Sequence, residues 1–189
     1  MEPAGSRVAR ASHGALCAAE AEDDLRAQAI TLLRLSNLDH RQLRYTDAIE
    51  HCTRAGALAE RAAWTQGQAT ALGILATVHR DAGRIEEAAA VYDRALTLYR
   101  QEGSRNGEAL TLNHLARTYW YLGRFPEAIE SATHAVTLRR EAGSREGEAA
   151  ALDTLGEICH AAGRLDEALA HLGQALTLTH EIDDRGVAA

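Results

Sequence analysis

The chain has 189 residues, a formal net charge of −7 and an apolar content of 46%, of which little is aromatic. This length suits one ordinary domain or several small stacked units that share a core. The acidic balance argues against a general electrostatic attraction to nucleic acid, and all 20 basic residues are arginine. Lysine-dependent phosphate loops and Schiff bases are therefore excluded.

Cysteine usage and hydropathy indicate the compartment. Cys17, Cys52 and Cys159 are scattered, odd in number and without a C-x-x-C pair, which is typical of free thiols in a reducing compartment. No run approaches the ~20 apolar residues of a membrane span, and the N-terminus lacks the apolar stretch of a signal peptide. The sequence predicts a cytoplasmic protein that does not associate with membranes.

The chain repeats itself with a period of forty residues. Glycines recur at 67, 107 and 147, and Gly-Arg pairs recur at 83, 123 and 163. Alanines recur at 48, 88, 128 and 168. A fixed period of this length is the mark of a repeat architecture in which each unit completes its core against its neighbours.

In chain order, residues 1–12 are small, polar and aperiodic and predict a disordered start. Residues 13–24 predict a partial repeat or capping helix. The repeat domain follows at 25–183, with repeats at about 25–64, 65–103, 104–143 and 144–183. Residues 184–189 predict the truncated start of a further helix.

Each repeat carries two apolar stripes at helical spacing, and strand-like alternation is absent from the sequence. Gly83, Gly123 and Gly163 stand where the first helix of a repeat ends, since glycine adopts the left-handed conformation without a Cβ clash. Leu43 occupies this position in the first repeat. The fold class predicted is all-α, with about four helix–turn–helix units.

The motif of the third repeat is Leu112-x-x-Leu115-Ala116-x-x-Tyr119, followed by Gly123, Ala128 and Ala135. The fourth repeat has Leu152-x-x-Leu155-Gly156, followed by Gly163, Ala168 and Ala175. These motifs resemble the tetratricopeptide repeat. The family's common unit has ~34 residues, so each helix here is expected to be extended by part of a turn.

The longer unit and its S-R-x-G-E-A lead-in resemble repeats in the tails of large actinobacterial regulators, of the Streptomyces antibiotic-regulatory type and of signalling ATPases. They are also similar to kinesin light chain. The absence of lysine fits a GC-rich actinomycete.

The resemblance implies an α-solenoid whose first helices line the concave face of a right-handed superhelix, where peptides bind. The residues of this chain that match such groove positions are Asn37, His40, Arg41, Thr77, Arg80, Asn113, Arg117, Trp120, Tyr121, Asp153, Glu157 and His160.

Within that groove, Trp120 and Tyr121 beside Arg117 and Arg80 are the most binding-like patch, because aromatic residues and arginine dominate interface energetics. The alternative is that both rings simply pack against the fourth repeat.

Two uses known in the family are disfavoured by the residues present. The clamp that binds chaperone tails needs lysine, and Leu33, Gly73 and Asp153 stand where its polar groups would be. The asparagine ladder of the light-chain type is replaced by Arg34, Ile74, His114 and Thr154.

No catalytic, cofactor or metal site is predicted. The nine histidines include no pair four residues apart and no H-E-x-x-H. Cys52 and Cys159 fall on core positions, which favours packing over nucleophilic chemistry.

The leading hypothesis is a non-catalytic scaffold that binds a peptide or protein in the concave groove. The alternative is a regulatory or sensory tail, as a fragment or stand-alone remnant of a larger transcriptional regulator or signalling ATPase. A third, an enzyme, lacks motif support. Because the sequence ends without a polar capping helix, we also expect self-association through the fourth repeat.

Overall fold

The computed structural model describes residues 14–187, with side chains as far as residue 183. Throughout this range the backbone is helix or short connection, without a strand. The first helix, α1, is described over residues 14–21. The others are α2 (Leu25–Arg41), α3 (Tyr45–Arg61), α4 (Thr65–Asp81), α5 (Ile85–Gln101), α6 (Arg105–Tyr121), α7 (Phe125–Glu141), α8 (Arg145–Ala161) and α9 (Leu165–Val187).

Helices α2 to α8 have 17 residues each, and three-residue connections separate them. Two such helices with their connections account for the forty-residue period. The predicted all-α helical-repeat fold is therefore confirmed. The predicted disordered start at 1–12 lies outside the described residues.

The chain divides into two compact units, one ending at Glu102 and the other beginning at Gly103. In the first unit α2 packs on α3, α3 on α4 and α4 on α5, while α2 also meets α4. In the second, α6, α7, α8 and α9 pack in the same consecutive way and α6 meets α8. First helices of neighbouring repeats thus face each other within each unit.

Small side chains let these helices approach closely. In the first unit Ala29, Leu32, Cys52, Ala55 and Ala71 form a buried cluster, against which Trp64 packs. In the second unit Leu112, Leu115, Ala132, Leu152 and Ile158 are among the buried residues. The alanine periodicity of the sequence therefore marks the helix contacts of each unit.

The connections place one residue in the left-handed region. Glycine takes this role at 83, 103, 123, 143 and 163, with φ between 66° and 80°. Asp23, Leu43 and Ala63 do the same in the first unit without being glycine. A Cβ in this conformation meets the following carbonyl oxygen, so these three turns carry strain that the others lack.

Relieving that strain predicts a stabilising substitution. Leu43 has φ 60° and is 70% exposed, so little packing is lost when its side chain is removed. We expect Leu43→Gly to raise the free energy of unfolding by about 1 kcal/mol. Urea denaturation followed by Trp64 fluorescence in a Trp120→Phe background measures this. Leu43→Ala is the matched control, and an equal gain from it would contradict the strain argument.

The end of the repeat domain requires one correction. Residues 184–189 were expected to begin a further helix, but α9 continues without interruption to Val187. Asp183 stands where the two preceding repeats have Gly143 and Gly103. The absence of glycine is not the cause by itself, because Asp23 and Ala63 end helices at the equivalent positions with positive φ. Residues 188–189 lie outside the described range.

None of the helices among the described residues combines the length and apolar character needed to cross a membrane.

Candidate functional site

The face formed by α2 and α4 in the first unit holds a closed polar cluster. His40 Nε2 lies 2.9 Å from Asp81 Oδ2, and Arg80 Nε donates to Asp81 Oδ1 at 3.0 Å. Asp81 therefore links α4 to α2 through Oδ2, while its Oδ1 is occupied by Arg80 of its own helix. The Arg80 side chain is 13% exposed, and its buried NH1 atom has no hydrogen-bond partner.

Thr77 lies one turn earlier on α4, and its hydroxyl is held by a residue of α5, the second helix of the same repeat. Its hydroxyl lies 2.8 Å from the Tyr92 hydroxyl and donates to the Gly73 carbonyl at 3.0 Å. Tyr92 is fully buried. Burial raises the pKa of the Tyr92 phenol, although the Thr77 hydrogen bond opposes the shift. The pair holds α5 to α4 beneath the polar cluster.

The face formed by α6 and α8 in the second unit is more open. Arg117 NH1 lies 3.7 Å from Glu157 Oε2, across the two first helices, and both side chains are partly exposed. Exposed ion pairs of this kind contribute little stability. The pair therefore neutralises the charges of the two side chains but adds little to the stability of the fold.

Next to Arg117 on α6 lies a pair of stacked aromatic rings. Trp120 and Tyr121 have ring centroids 5.7 Å apart and an interplanar angle of 13°. Tyr121 is 54% exposed, while Trp120 is half-buried. An exposed tyrosine supported by a second ring offers a rigid apolar surface at low entropic cost.

Two acceptor atoms on this face are buried without a hydrogen-bond partner. They are Asn113 Oδ1 on α6 and Glu157 Oε2 on α8. Leaving a buried polar atom unpaired costs about 1–3 kcal/mol, so each such atom in a folded protein needs a reason. Glu157 Oε2 is still ion-paired with Arg117, whereas Asn113 Oδ1 has no hydrogen-bond partner. The α6/α8 face thus combines these acceptors with an aromatic pair of which Tyr121 is the exposed member.

The remaining predicted positions are distributed between the two units. Exposed side chains are those of Asn37, Arg41, Asp153 and His160. Within the first unit the structure brings His40 and Arg80 together; within the second it brings together Arg117 and Glu157, and Trp120 and Tyr121. That all these residues line one groove, with Arg80 beside Trp120, stays a prediction.

Sequence reasoning missed the partners that come from outside the first helices. Tyr92 lies 15 residues from Thr77 and no local pattern pairs them. Likewise, Cys159, Glu167 and His171 converge in the second unit, although the sequence contains no pair of histidines that would indicate a metal site there. The detectable signal was the E-x-x-x-H spacing of Glu167 and His171 on one helix.

The buried thiols lack the environment of reactive nucleophiles. Cys52 Sγ lies 2.9 Å from the Ser36 hydroxyl, and burial raises the pKa of the Cys52 thiol to about 11. Burial, and then the charge of Glu167, raise the pKa of the Cys159 thiol, with Arg164 opposing. Both thiols are protonated at neutral pH, whereas nucleophilic cysteines have depressed pKa values.

One further apolar surface lies on α9. Leu165, Leu169 and Leu176 are 58%, 72% and 59% exposed. Self-association through this repeat stays a prediction.

The family profile described as tetratricopeptide repeat matches residues 27–101, 67–141 and 107–180, which together span most of the chain. The chain is a tetratricopeptide-repeat protein. Its helix pairs, left-handed glycine turns and buried alanines are thus the elements of the tetratricopeptide unit. Among curated proteins compared with this tetratricopeptide-repeat chain, none matches significantly.

Solved structures share the tetratricopeptide-repeat fold at low identity. BtubC from P. vanneervenii superposes with a TM-score of 0.77 at 19% identity, over 85% of this chain and 66% of that one. MamA gives 0.68 at 21% identity, over 97% and 99%. The Rap conjugation gene regulator of the plasmid pLS20, in complex with the Phr* peptide, gives 0.71 at 16%, over 82% and 43%.

The chain therefore spans less than two thirds of BtubC and of the Rap regulator, but nearly all of MamA. At these identities the likeness concerns the fold alone.

Proposed function

We propose that this tetratricopeptide-repeat chain is a non-catalytic scaffold that binds an extended peptide, or an extended segment of a protein partner, on the α6/α8 face. The observation that carries the proposal is the buried Asn113 Oδ1, which has no hydrogen-bond partner, on the helix that also carries the exposed Tyr121 ring. Glu157 Oε2, on the facing helix, accepts no hydrogen bond and is held only by the Arg117 ion pair at 3.7 Å. A ligand that donated a hydrogen bond to Asn113 Oδ1 would recover the penalty that this atom carries in the free protein.

The chemistry of these acceptors defines the ligand. Both unpartnered atoms are oxygens, so the ligand must present N–H or O–H donors. Backbone amides of an extended segment supply such donors at regular spacing, which suits two acceptors on facing helices. A basic side chain also fits Glu157, provided that it replaces Arg117 as the partner.

The aromatic pair supplies the apolar half of the interaction. Tyr121 exposes its ring while Trp120 holds it from behind, so an apolar side chain of the ligand can pack on it without an ordering cost. A Rap regulator with a similar fold was solved with a peptide bound, which supports a peptide as the class of ligand here.

The α2/α4 face is proposed to contribute less. There Asp81 accepts from Arg80 and lies 2.9 Å from His40 Nε2, so both of its oxygens are occupied. Asn37 and Arg41 are exposed and free to make peripheral contacts. We therefore place the binding energy on Asn113, Arg117, Trp120 and Tyr121.

Selection from a random peptide library, followed by titration of the selected peptides, tests the proposal. Asn113→Leu keeps the side-chain size and removes the acceptor, while Tyr121→Ala removes the exposed ring. We expect each to weaken binding about tenfold or more. Trp120 fluorescence in a Trp64→Phe background reports binding at this face directly.

His134→Ala is the matched control, because His134 is exposed on the second helix α7 of the same repeat. It should leave affinity unchanged. Far-UV circular dichroism must show native helicity for every variant. Peptides that bind Asn113→Leu and Tyr121→Ala as tightly as the wild-type protein would overturn the proposed site.

A further inference from the structure

A cluster of three potential metal ligands lies between α8 and α9, away from the α6/α8 face. Cys159 Sγ, a carboxylate oxygen of Glu167 and a ring nitrogen of His171 all lie within 4.8 Å of one another. The thiol is fully buried, His171 is half-buried and Glu167 is exposed. The cluster thus has a dry inner side and an open outer side.

Helix geometry fixes this arrangement. Glu167 and His171 are four residues apart on α9, so their side chains share one face of that helix. Cys159 lies in the last turn of α8, the helix against which α9 packs. The Nδ1 atom of His171 is buried and has no hydrogen-bond partner among the described residues.

In the first repeat, the residues equivalent to Cys159 and His171 are paired with each other. Asp39 and His51 occupy the equivalent places, 120 residues earlier. There the Asp39 carboxylate lies 2.8 Å from His51 Nδ1, and the pair is satisfied internally. In the fourth repeat Cys159 replaces the carboxylate, and the imidazole nitrogen loses its partner.

We propose that Cys159, Glu167 and His171 bind a divalent transition-metal ion, with zinc as the best match. Thiolate, imidazole and carboxylate together are a donor set that zinc accepts, with a water molecule in the fourth position. Because the Cys159 thiol is protonated in the free protein, metal binding releases its proton to solvent. Bond lengths of about 2.0–2.3 Å in a tetrahedral site place ligand atoms about 3.3–3.6 Å apart. Small side-chain rotations close the present separations to that range.

Arg164 is expected to lower the affinity of the site for the metal ion. Its Nε donates to Glu167 Oε1 at 2.7 Å, within the first turn of α9. The guanidinium neutralises the carboxylate and repels a cation, so it competes with the metal. Removing the Arg164 charge should therefore tighten metal binding. A cluster with a purely structural role would not show this effect. The bound ion would tie the end of α8 to the start of α9.

The test uses the full chain, freed of metal by chelation, in a Cys17→Ser background that removes the exposed thiol. Titration with cobalt(II) should give tetrahedral d–d absorption and a thiolate-to-cobalt charge-transfer band that saturate at one equivalent. Zinc should displace the cobalt. Zinc at about 100 times its Kd should raise the melting temperature by about 5 °C.

Variants assign the ligands. Cys159→Ser, His171→Gln and Glu167→Gln should each weaken zinc binding at least tenfold. Glu167 is exposed, so Glu167→Gln keeps the test informative even if Cys159→Ser fails to fold. Arg164→Gln should tighten binding about two- to fivefold. The controls Cys52→Ser and His134→Gln remove a buried thiol and an exposed imidazole elsewhere and should leave binding unchanged.

The proposal fails if no zinc binding is detected up to about 100 μM, well above the affinity of protein zinc sites. It also fails if the cobalt spectrum lacks the charge-transfer band, or if Cys159→Ser binds zinc as well as the wild-type protein. Weaker binding by Arg164→Gln would remove Glu167 from the ligand set and overturn the site as stated.

Discussion

Arg44→Ala combined with His51→Ala is expected to lower the free energy of unfolding of the first unit by about 3–5 kcal/mol. The Asp39 side chain is 4% exposed. Its Oδ1 accepts from the Arg44 guanidinium and its Oδ2 lies 2.8 Å from His51 Nδ1. Because a carboxylate only accepts, the His51 nitrogen must donate. Removing both donors leaves a buried charge without a partner.

Removing the buried carboxylate as well should recover much of that lost stability. Adding Asp39→Leu to the double variant removes the stranded charge and leaves an apolar contact of similar size. Replacing a whole buried ionic group by apolar residues is often neutral. Urea denaturation followed by Trp64 fluorescence, with Trp120 replaced by phenylalanine, measures all three variants, since Trp64 packs on the core of this unit.

The matched control is an ion pair in solvent. Arg105 and Glu141 are paired but 65% and 53% exposed, so Arg105→Ala should cost no more than about 0.5 kcal/mol. If the triple variant is less stable than the double variant, Asp39 does not act as a stranded charge, and the network contributes through packing.

The fold could be predicted from the sequence because the residues that mark its turns and helix contacts recur with a fixed period. Glycines at 83, 123 and 163 mark the turns within repeats, and each has positive φ. The small residues Ala76, Ala116 and Gly156 mark where first helices contact second helices. A pattern that recurs every forty residues averages out local ambiguity. At Leu43, where the pattern is broken, the flanking helices impose the same turn on an unfavourable residue.

The candidate site was less predictable, because its chemistry depends on partners that differ between repeats. Equivalent positions hold Asn37, Thr77, Arg117 and Glu157. In the second unit the last two lie 3.7 Å apart, but Thr77 turns to Tyr92 on its own second helix. Periodicity places these residues on one face of the first helices and leaves their hydrogen bonds undetermined.

The same limit explains why the Cys159 cluster was overlooked. Its members stand at positions filled elsewhere by Asp39 and His51, by Tyr119 and Ser131, or by His79 and Val91. In the third repeat, for example, Arg124 lies over the Tyr119 ring at 4.5 Å. Only the distances in the structure show that a thiol, a carboxylate and an imidazole meet in the fourth repeat.

Gly156 illustrates how small residues are matched to their partners. Residue pairs at equivalent positions are Ser36 with Cys52, Ala116 with Ala132, and Gly156 with Leu172. A Cβ added at Gly156 would lie 2.6 Å from Leu172 Cγ and 3.3 Å from its backbone nitrogen. The second repeat has Ala76 and the larger Tyr92 at these positions, so partner size alone does not decide where glycine stands. At Gly156 the missing side chain leaves the space that Leu172 occupies.

Gly156→Ala is accordingly expected to destabilise the second unit by about 1–2 kcal/mol. Alanine favours the helix by about 0.5–1 kcal/mol over glycine, but the overpacking against α9 costs about 1–3 kcal/mol. The added Cβ would also lie close to the Leu172 backbone nitrogen, so rotation of the Leu172 side chain does not relieve the whole overlap. Urea denaturation followed by Trp120 fluorescence, with Trp64 replaced by phenylalanine, measures the change.

Gly173→Ala is the matched control in the same unit. Gly173 lies in α9, and an added Cβ would meet nothing within 4 Å. The same chemical change should here stabilise by about 0.5–1 kcal/mol, so the two variants should shift the midpoint in opposite directions. A stabilising Gly156→Ala would show that α8 and α9 have room to separate. The small residue would then reflect the repeat pattern and not the packing against Leu172.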